Sequence, residues 1–161
     1  MTIAPIRRTI EVAVPPERAF ALFTGRMHDW WPIGHSISDD PRVDIRMESH
    51  ADGWWGQIGE RGSRVQWGKV LAWEPPGRLL LAWQIDAQWQ FDPDLVTELE
   101  LTFTPVATNT LVTLEHRNLE RFGESAEKMA EQLRNGWPGV VQQYADFADG
   151  KLECAQPCSS A

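Results

Sequence analysis

GWPGVVQQYADFADG, running from Gly136 to Gly150, is the stretch whose reading decides the fold. Its apolar residues Trp137, Val140, Val141, Tyr144, Phe147 and Ala148 recur at steps of three and four, which gathers them into one stripe on a helical cylinder. Gln142, Gln143, Asp146 and Asp149 fall on the other side. Pro138 suits an opening turn, where its missing N–H costs no helical bond, and Gly150 suits a left-handed stop. A helix of this length is about 20 Å long and marginal in isolation, so it requires a surface to cover. The rest of the chain supplies mainly strands, and the simplest arrangement is a curved antiparallel sheet wrapped around this helix.

Working outward, Ile6 to Val14 alternates as a half-buried strand and stops at Pro15 and Pro16. A short helix follows from Pro16, with Ala19, Phe20, Leu22 and Phe23 on its apolar side, and ends near Gly25. Arg26 to Pro32 then forms a compact turn carrying Trp30 and Trp31. Neighbours in sequence cannot both enter the core from a regular element, so at least one of this pair is expected to face a cavity, another element or solvent. After a polar loop, Val43, Ile45 and Met47 mark a second strand on one face. Asp52-Gly53 signals a hairpin into Trp54 to Ile58, and Arg64 to Glu74 and Arg78 to Asp86 follow around Pro75, Pro76 and Gly77. Gln88 to Pro93 is an irregular link, Thr97 to Thr104 and Thr110 to His116 alternate as two more strands, and a separate short helix spans Glu124 to Leu133. Alternation turns His116 inward. Bulges in the region from Trp54 to Trp73 would exchange its inward and outward residues.

The chain has 161 residues and a formal net charge of −8. That length suits one domain, expected over residues 1–150, with a disordered tail over 151–161. Cys154 and Cys158 lie in that tail, too close together to brace anything and too few for a metal site. The acidic balance, with a pI near 4.9, argues against nucleic acid as a partner. No apolar run of about 18 residues is present, and the first residues lack the apolar core of a signal peptide, so a cytoplasmic protein that does not enter a membrane is expected.

His28, His35, His50 and His116 share no metal-ligand spacing, and neither metal nor cofactor is expected. Asp86, Asp92 and Asp94 cluster on a loop, while Glu98 and Glu100 lie on the wet face of a strand. There is no nucleophile elbow and no phosphate-binding glycine loop. Nine tryptophans stand against one tyrosine. Cross-strand stacking would account for Trp54, Trp55, Trp67 and Trp73, leaving the others to fill the core or to line a cavity.

With the elements in order, several segments resemble the START-like, or SRPBCC, superfamily. They are EVAVPPERAF from Glu11, WGKVLAWEPPGRL from Trp67, TELELTF from Thr97, LEHR from Leu114, and Gly136-Trp137. Within that superfamily they are similar to bacterial members of the family of activator of heat shock protein 90 ATPase homologue 1. The resemblance implies an α+β helix-grip fold, also called Bet v 1-like, with about seven strands gripping the terminal helix. It further implies a cavity between sheet and helix that commonly holds an apolar small molecule.

The reading that follows is a non-enzymatic protein binding an apolar or aromatic small molecule, as a monomer or homodimer. Its expected contacts are Trp30, Trp31, Trp83, Leu101, Phe103, Leu114, His116, Trp137, Val141 and Tyr144. One alternative is a co-chaperone-like module that stimulates a chaperone ATPase through an exposed apolar patch. A second is a cyclase or dehydratase using His116 as acid or base.

Overall fold

The structure is a computed structural model and is described here for residues 3–32 and 35–151. Its strands are β1 (Ile6–Val12), β2 (Arg42–Met47), β3 (Trp54–Gly59), β4 (Arg64–Glu74), β5 (Arg78–Trp83), β6 (Thr97–Val106) and β7 (Asn109–Arg117). They form one antiparallel sheet in the order β1-β7-β6-β5-β4-β3-β2. Every pair except β1-β7 is sequential, so short hairpins build nearly the whole sheet. Helices α1 (Pro16–Gly25) and α2 (Met27–Trp30) connect β1 to β2, and a 3-10 segment (Leu119–Ser125) leads from β7 into α3 (Ala126–Ala148). This is the helix-grip arrangement expected from the sequence. The expected tail, with Cys154 and Cys158, lies almost wholly outside the described residues.

The terminal helix corrects the expectation of two helices. It is continuous for 23 residues, with Pro138 in its interior. Ala126, Met129, Ala130, Leu133, Trp137, Val140, Tyr144 and Ala148 are all buried, so the apolar stripe runs through the proline without changing phase. Pro138 is half-buried and Arg134, whose carbonyl loses its usual N–H partner there, is exposed. Burial of the stripe outweighs the single missing bond. At the far end, Gly150 adopts φ 76° and ends the helix as expected.

Strand alternation is interrupted where the ladder shifts register. A shift between Arg42 and Asp44 buries Arg42 to 7% exposure and leaves Val43 50% exposed, so Val43 does not share the inward face of Ile45. Further shifts occur at Trp55/Gly56 and Val70/Ala72. The four-tryptophan stack expected across these strands is correspondingly divided. Trp55 and Trp67 meet edge to face with centroids 5.7 Å apart, whereas Trp73 packs on Phe20 and Trp54 lies under the Arg64 guanidinium. Gly68 is required between β4 and β5, because a Cβ there would run into the Ala82 carbonyl oxygen.

The outer face of the sheet carries an ion-pair ladder. Arg117 reaches Glu98, Glu100 and Glu115, and Arg78 reaches Glu100 and Glu74. The inner face is apolar, and α3 closes over it.

Candidate functional site

Five tryptophans close a ring at one end of the space between sheet and helix. Trp31 lies 5.2 Å from Trp67 between ring centroids, Trp67 5.7 Å from Trp55, Trp55 6.1 Å from Trp83, Trp83 5.6 Å from Trp137, and Trp137 6.1 Å from Trp31. Most of these contacts are edge-to-face, which brings the positive edge of one ring to the negative face of the next. Each comes from a different element: the end of α2, then β4, β3, β5 and α3. The backbone explains how Trp30 and Trp31 are both buried. Trp31 caps α2 in an extended conformation (φ −67°, ψ 131°), so it leaves the helical direction that Trp30 follows.

Beside this ring opens a cavity of about 690 Å³, within the range of small-molecule sites. Trp31, Trp67, Trp83 and Trp137 supply its aromatic wall, and Ile37, Ile85, Leu133 and Val140 its aliphatic wall. His35, Ser36, Gln132 and Asn135 are the polar groups, and Trp89 and Gly136 complete the lining. Of the ten contacts expected from sequence, Trp31, Trp83 and Trp137 are brought together here. Val140 faces the cavity in place of its neighbour Val141, which is half-buried.

The remaining expected residues lie elsewhere in the core. Trp30 packs on Phe23 and Tyr144 and donates its N–H to the Leu22 carbonyl at 3.0 Å. Tyr144 donates its hydroxyl to the Ala19 carbonyl at 2.7 Å, and burial holds its phenol above the usual tyrosine range. Leu101, Phe103 and Leu114 are buried on β6 and β7, away from the cavity lining.

His116, expected as a ligand contact, does not line the cavity. It is wholly buried between Trp83 and Trp137. Trp137 Nε1–H donates to its Nδ1 at 3.2 Å, so that nitrogen carries the lone pair. In the neutral ring Nε2 then carries the hydrogen and donates to Thr97 Oγ1 at 2.8 Å. The Thr97 hydroxyl in turn donates to the Trp83 carbonyl at 3.0 Å. Both ring nitrogens are engaged, and burial lowers the pKa to about 3. His116 therefore fixes Trp137 and β5 in place and has no nitrogen free for proton transfer.

A second buried polar group organises the opposite wall. Gln57 Oε1 accepts from Trp67 Nε1 at 3.0 Å and from the Ile37 amide at 3.1 Å, and its Nε2 donates to Ser36 Oγ at 2.8 Å. It ties the loop carrying Ser36 and Ile37 to β3 and orients Trp67. Arg42, beneath the same loop, donates Nη2–H to the Trp31 carbonyl at 3.0 Å. Its Nε and Nη1 have no hydrogen-bond partner among the described residues, and burial lowers its pKa to about 10. Burial, reinforced by the Arg42 charge, holds both His35 and His28 below the ordinary histidine pKa.

Of the large apolar cavity residues, sequence reasoning missed Ile37, Trp67, Ile85, Trp89, Leu133 and Val140, and it missed the polar lining altogether. Leu133 was legible in the apolar stripe once the helix is continued through Pro138, and Ile85 in the apolar run that the sequence carries from Arg78 to Asp86, beyond the end of β5. Trp67 and Trp89 depend on a bulge and on a loop, which carry no periodic signal.

Among the described residues no group of three or more His, Cys, Asp or Glu side chains could hold a metal ion, and no helix is long and apolar enough to cross a membrane. The large apolar residues that are exposed, Val43, Trp89 and Val106, stand on three different segments of the chain.

A sheet gripping a long helix, with a cavity between them, defines a START-like protein. Residues 13–147 match the family described as activator of Hsp90 ATPase homolog 1-like protein, and the chain belongs to that family. No curated protein matches the sequence. Among solved structures the chain is similar to the anthrahydroquino-γ-pyrone synthase Txn09, with 33% identity, a TM-score of 0.65, and coverage of 90% of this chain and 97% of that one. It is also similar to CalC from Micromonospora echinospora, a self-sacrificing resistance protein, at 24% identity and a TM-score of 0.67 over 91% of this chain and 95% of that one. The Aha1 dimer from Colwellia psychrerythraea is 17% identical with a TM-score of 0.63, over 92% of this chain and 98% of that one. At these identities the last two attest the fold alone.

Proposed function

We propose that the chain binds a planar aromatic small molecule in the cavity between the sheet and α3. The observation that carries this reading is the tryptophan ring, four of whose members line about 690 Å³ of mainly apolar space. Flat aromatic surface gains there both from removal from water, at about 25 cal/mol per Å², and from edge-to-face contact with the indoles. The four polar groups of the lining, His35, Ser36, Gln132 and Asn135, suit the few oxygens such a molecule carries. The 33% identity to a synthase named for a fused aromatic pyrone supports the same ligand class. The test is titration with 1,8-dihydroxyanthraquinone, followed by tryptophan fluorescence and by native mass spectrometry. Saturable quenching with a one-to-one adduct is expected, and a protein that neither quenches nor forms an adduct refutes the proposal.

That same identity favours a second reading, in which the bound molecule undergoes ring closure. His35 is the one titratable side chain among the described cavity residues, and its lowered pKa keeps it a neutral base near pH 7. Under this reading His35→Gln abolishes turnover and leaves affinity intact. Turnover that survives the substitution excludes His35 as the base.

A further inference from the structure

Eight of the nine tryptophans have an aromatic or cationic neighbour. Seven meet other aromatic rings, and Trp54 meets a guanidinium. Trp89 has neither among the described residues. It is 42% exposed, yet it lines the same cavity as Trp31, Trp67, Trp83 and Trp137. A large indole left partly in water, beside space it does not fill, forgoes part of the stabilisation that full burial would give it.

The backbone holds it there. Trp89 has φ 60°, the left-handed region that bulky side chains rarely adopt. Asp86 enforces this turn: its carboxylate Oδ1 accepts from the amides of Gln88 at 2.9 Å and Gln90 at 3.0 Å, and its carbonyl accepts from the Trp89 amide at 2.9 Å. The Gln90 carbonyl accepts from the Asp86 amide at 2.8 Å, and an Ile85–Phe91 bridge closes the base. A chain free to relax would place glycine or asparagine at such a position. Here the turn is pinned and the indole is presented at the rim.

We infer that Trp89 is the outer stacking face of the site, closing on a flat ring held between it and the inner tryptophan wall. This rests on the proposed aromatic ligand and adds to it a shape requirement. The ligand is planar and enters edge-first, so that one face meets the inner wall and the other meets Trp89. Stacking on an indole is insensitive to the substituents of the ring, so Trp89 selects for planarity while the rim polar groups select for oxygen positions.

The test compares wild type, Trp89→Ala and Trp89→Phe in 1,8-dihydroxyanthraquinone titrations and in stopped-flow dissociation. Trp89→Ala is expected to weaken binding by about tenfold or more, chiefly through faster dissociation, while Trp89→Phe stays within about threefold of wild type. Trp89 has no aromatic or cationic partner among the described residues and is 42% exposed, so both variants should stay folded without ligand, as their urea unfolding curves check. If wild type binds and Trp89→Ala binds within about twofold of it, the inference is overturned and the cavity reading stands. If wild type shows no saturable response, the cavity reading fails and takes the inference with it. If Trp89→Ala turns a dimer into a monomer while affinity is unchanged, Trp89 belongs to an interface between copies, and the inference is again overturned.

Discussion

His116 makes the stability of the fold depend on pH in a predictable direction. Its folded pKa is about 3, against about 6.5 for a histidine in the unfolded chain. The folded-state value is depressed, so below about pH 6.5 the unfolded chain takes up a proton that the folded protein refuses, and stability falls as pH falls. Integrating that difference between about pH 7 and pH 5 gives a loss of about 2 kcal/mol from this one side chain. His116→Gln is the matched control. Its amide can accept from Trp137 Nε1–H and donate to Thr97 Oγ1, as the neutral imidazole does, but it does not titrate. Urea unfolding at the two pH values, for wild type and variant, measures the difference. Wild type should lose about 2 kcal/mol more than His116→Gln over that interval, with His28 and His35 cancelling because both proteins keep them. Equal losses would show that His116 accepts a proton in the folded state, and the hydrogen-bond chain from Trp137 to the Trp83 carbonyl would be wrong.

Gln57→Leu strands the Trp67 N–H and the Ile37 amide. It should cost about 1–3 kcal/mol in urea unfolding and weaken ligand binding through the loosened wall; an unchanged midpoint would show that water replaces the amide at no cost. Gly68→Ala drives a methyl against the Ala82 carbonyl across β4 and β5, and should destabilise by about 1–3 kcal/mol or more, seen as a lowered thermal midpoint. Arg42→Met removes a buried charge, two of whose nitrogens have no partner among the described residues, while keeping most of its volume. It should leave stability unchanged or raise it by about 1 kcal/mol, and a large loss would reveal a counter-ion for Arg42.

Much of this architecture could be read from the chain because period and punctuation are local. Pro15 and Pro16 start α1 although β1 already ends at Val12, Gly150 stops α3, and the alternation of β6 from Thr97 to Thr104 and of β7 holds without a bulge. What could not be read depends on contacts distant in sequence. Pro138 looked like a helix start because local propensity weighs a missing N–H more heavily than a buried stripe, and only the sheet beneath shows that the stripe wins. Val43 looked buried because alternation assumes an unbroken ladder, and the shift beside it gives its place to Arg42.

The site divided along the same line. Trp83 and Trp137 follow from regular periodicity, and Trp31 from its pairing with Trp30. Trp67 needed the β3-β4 bulge, and Trp89 needed a turn pinned by Asp86. His116 was correctly turned inward by alternation. Its depth depends on Trp137 and Thr97, 21 and 19 residues away along the chain, and nothing local reports them.

The proposed binding site is the space beside the tryptophan ring. Fluorine NMR of protein labelled with 5-fluorotryptophan, each resonance assigned by single Trp→Phe substitution and then titrated with 1,8-dihydroxyanthraquinone, tests it most directly. The resonances of Trp31, Trp67, Trp83, Trp89 and Trp137 should shift saturably, while that of Trp73, packed on Phe20 and absent from the cavity lining, stays in place. Shifts confined to Trp54 and Trp73, or no shift at any tryptophan, would contradict the account.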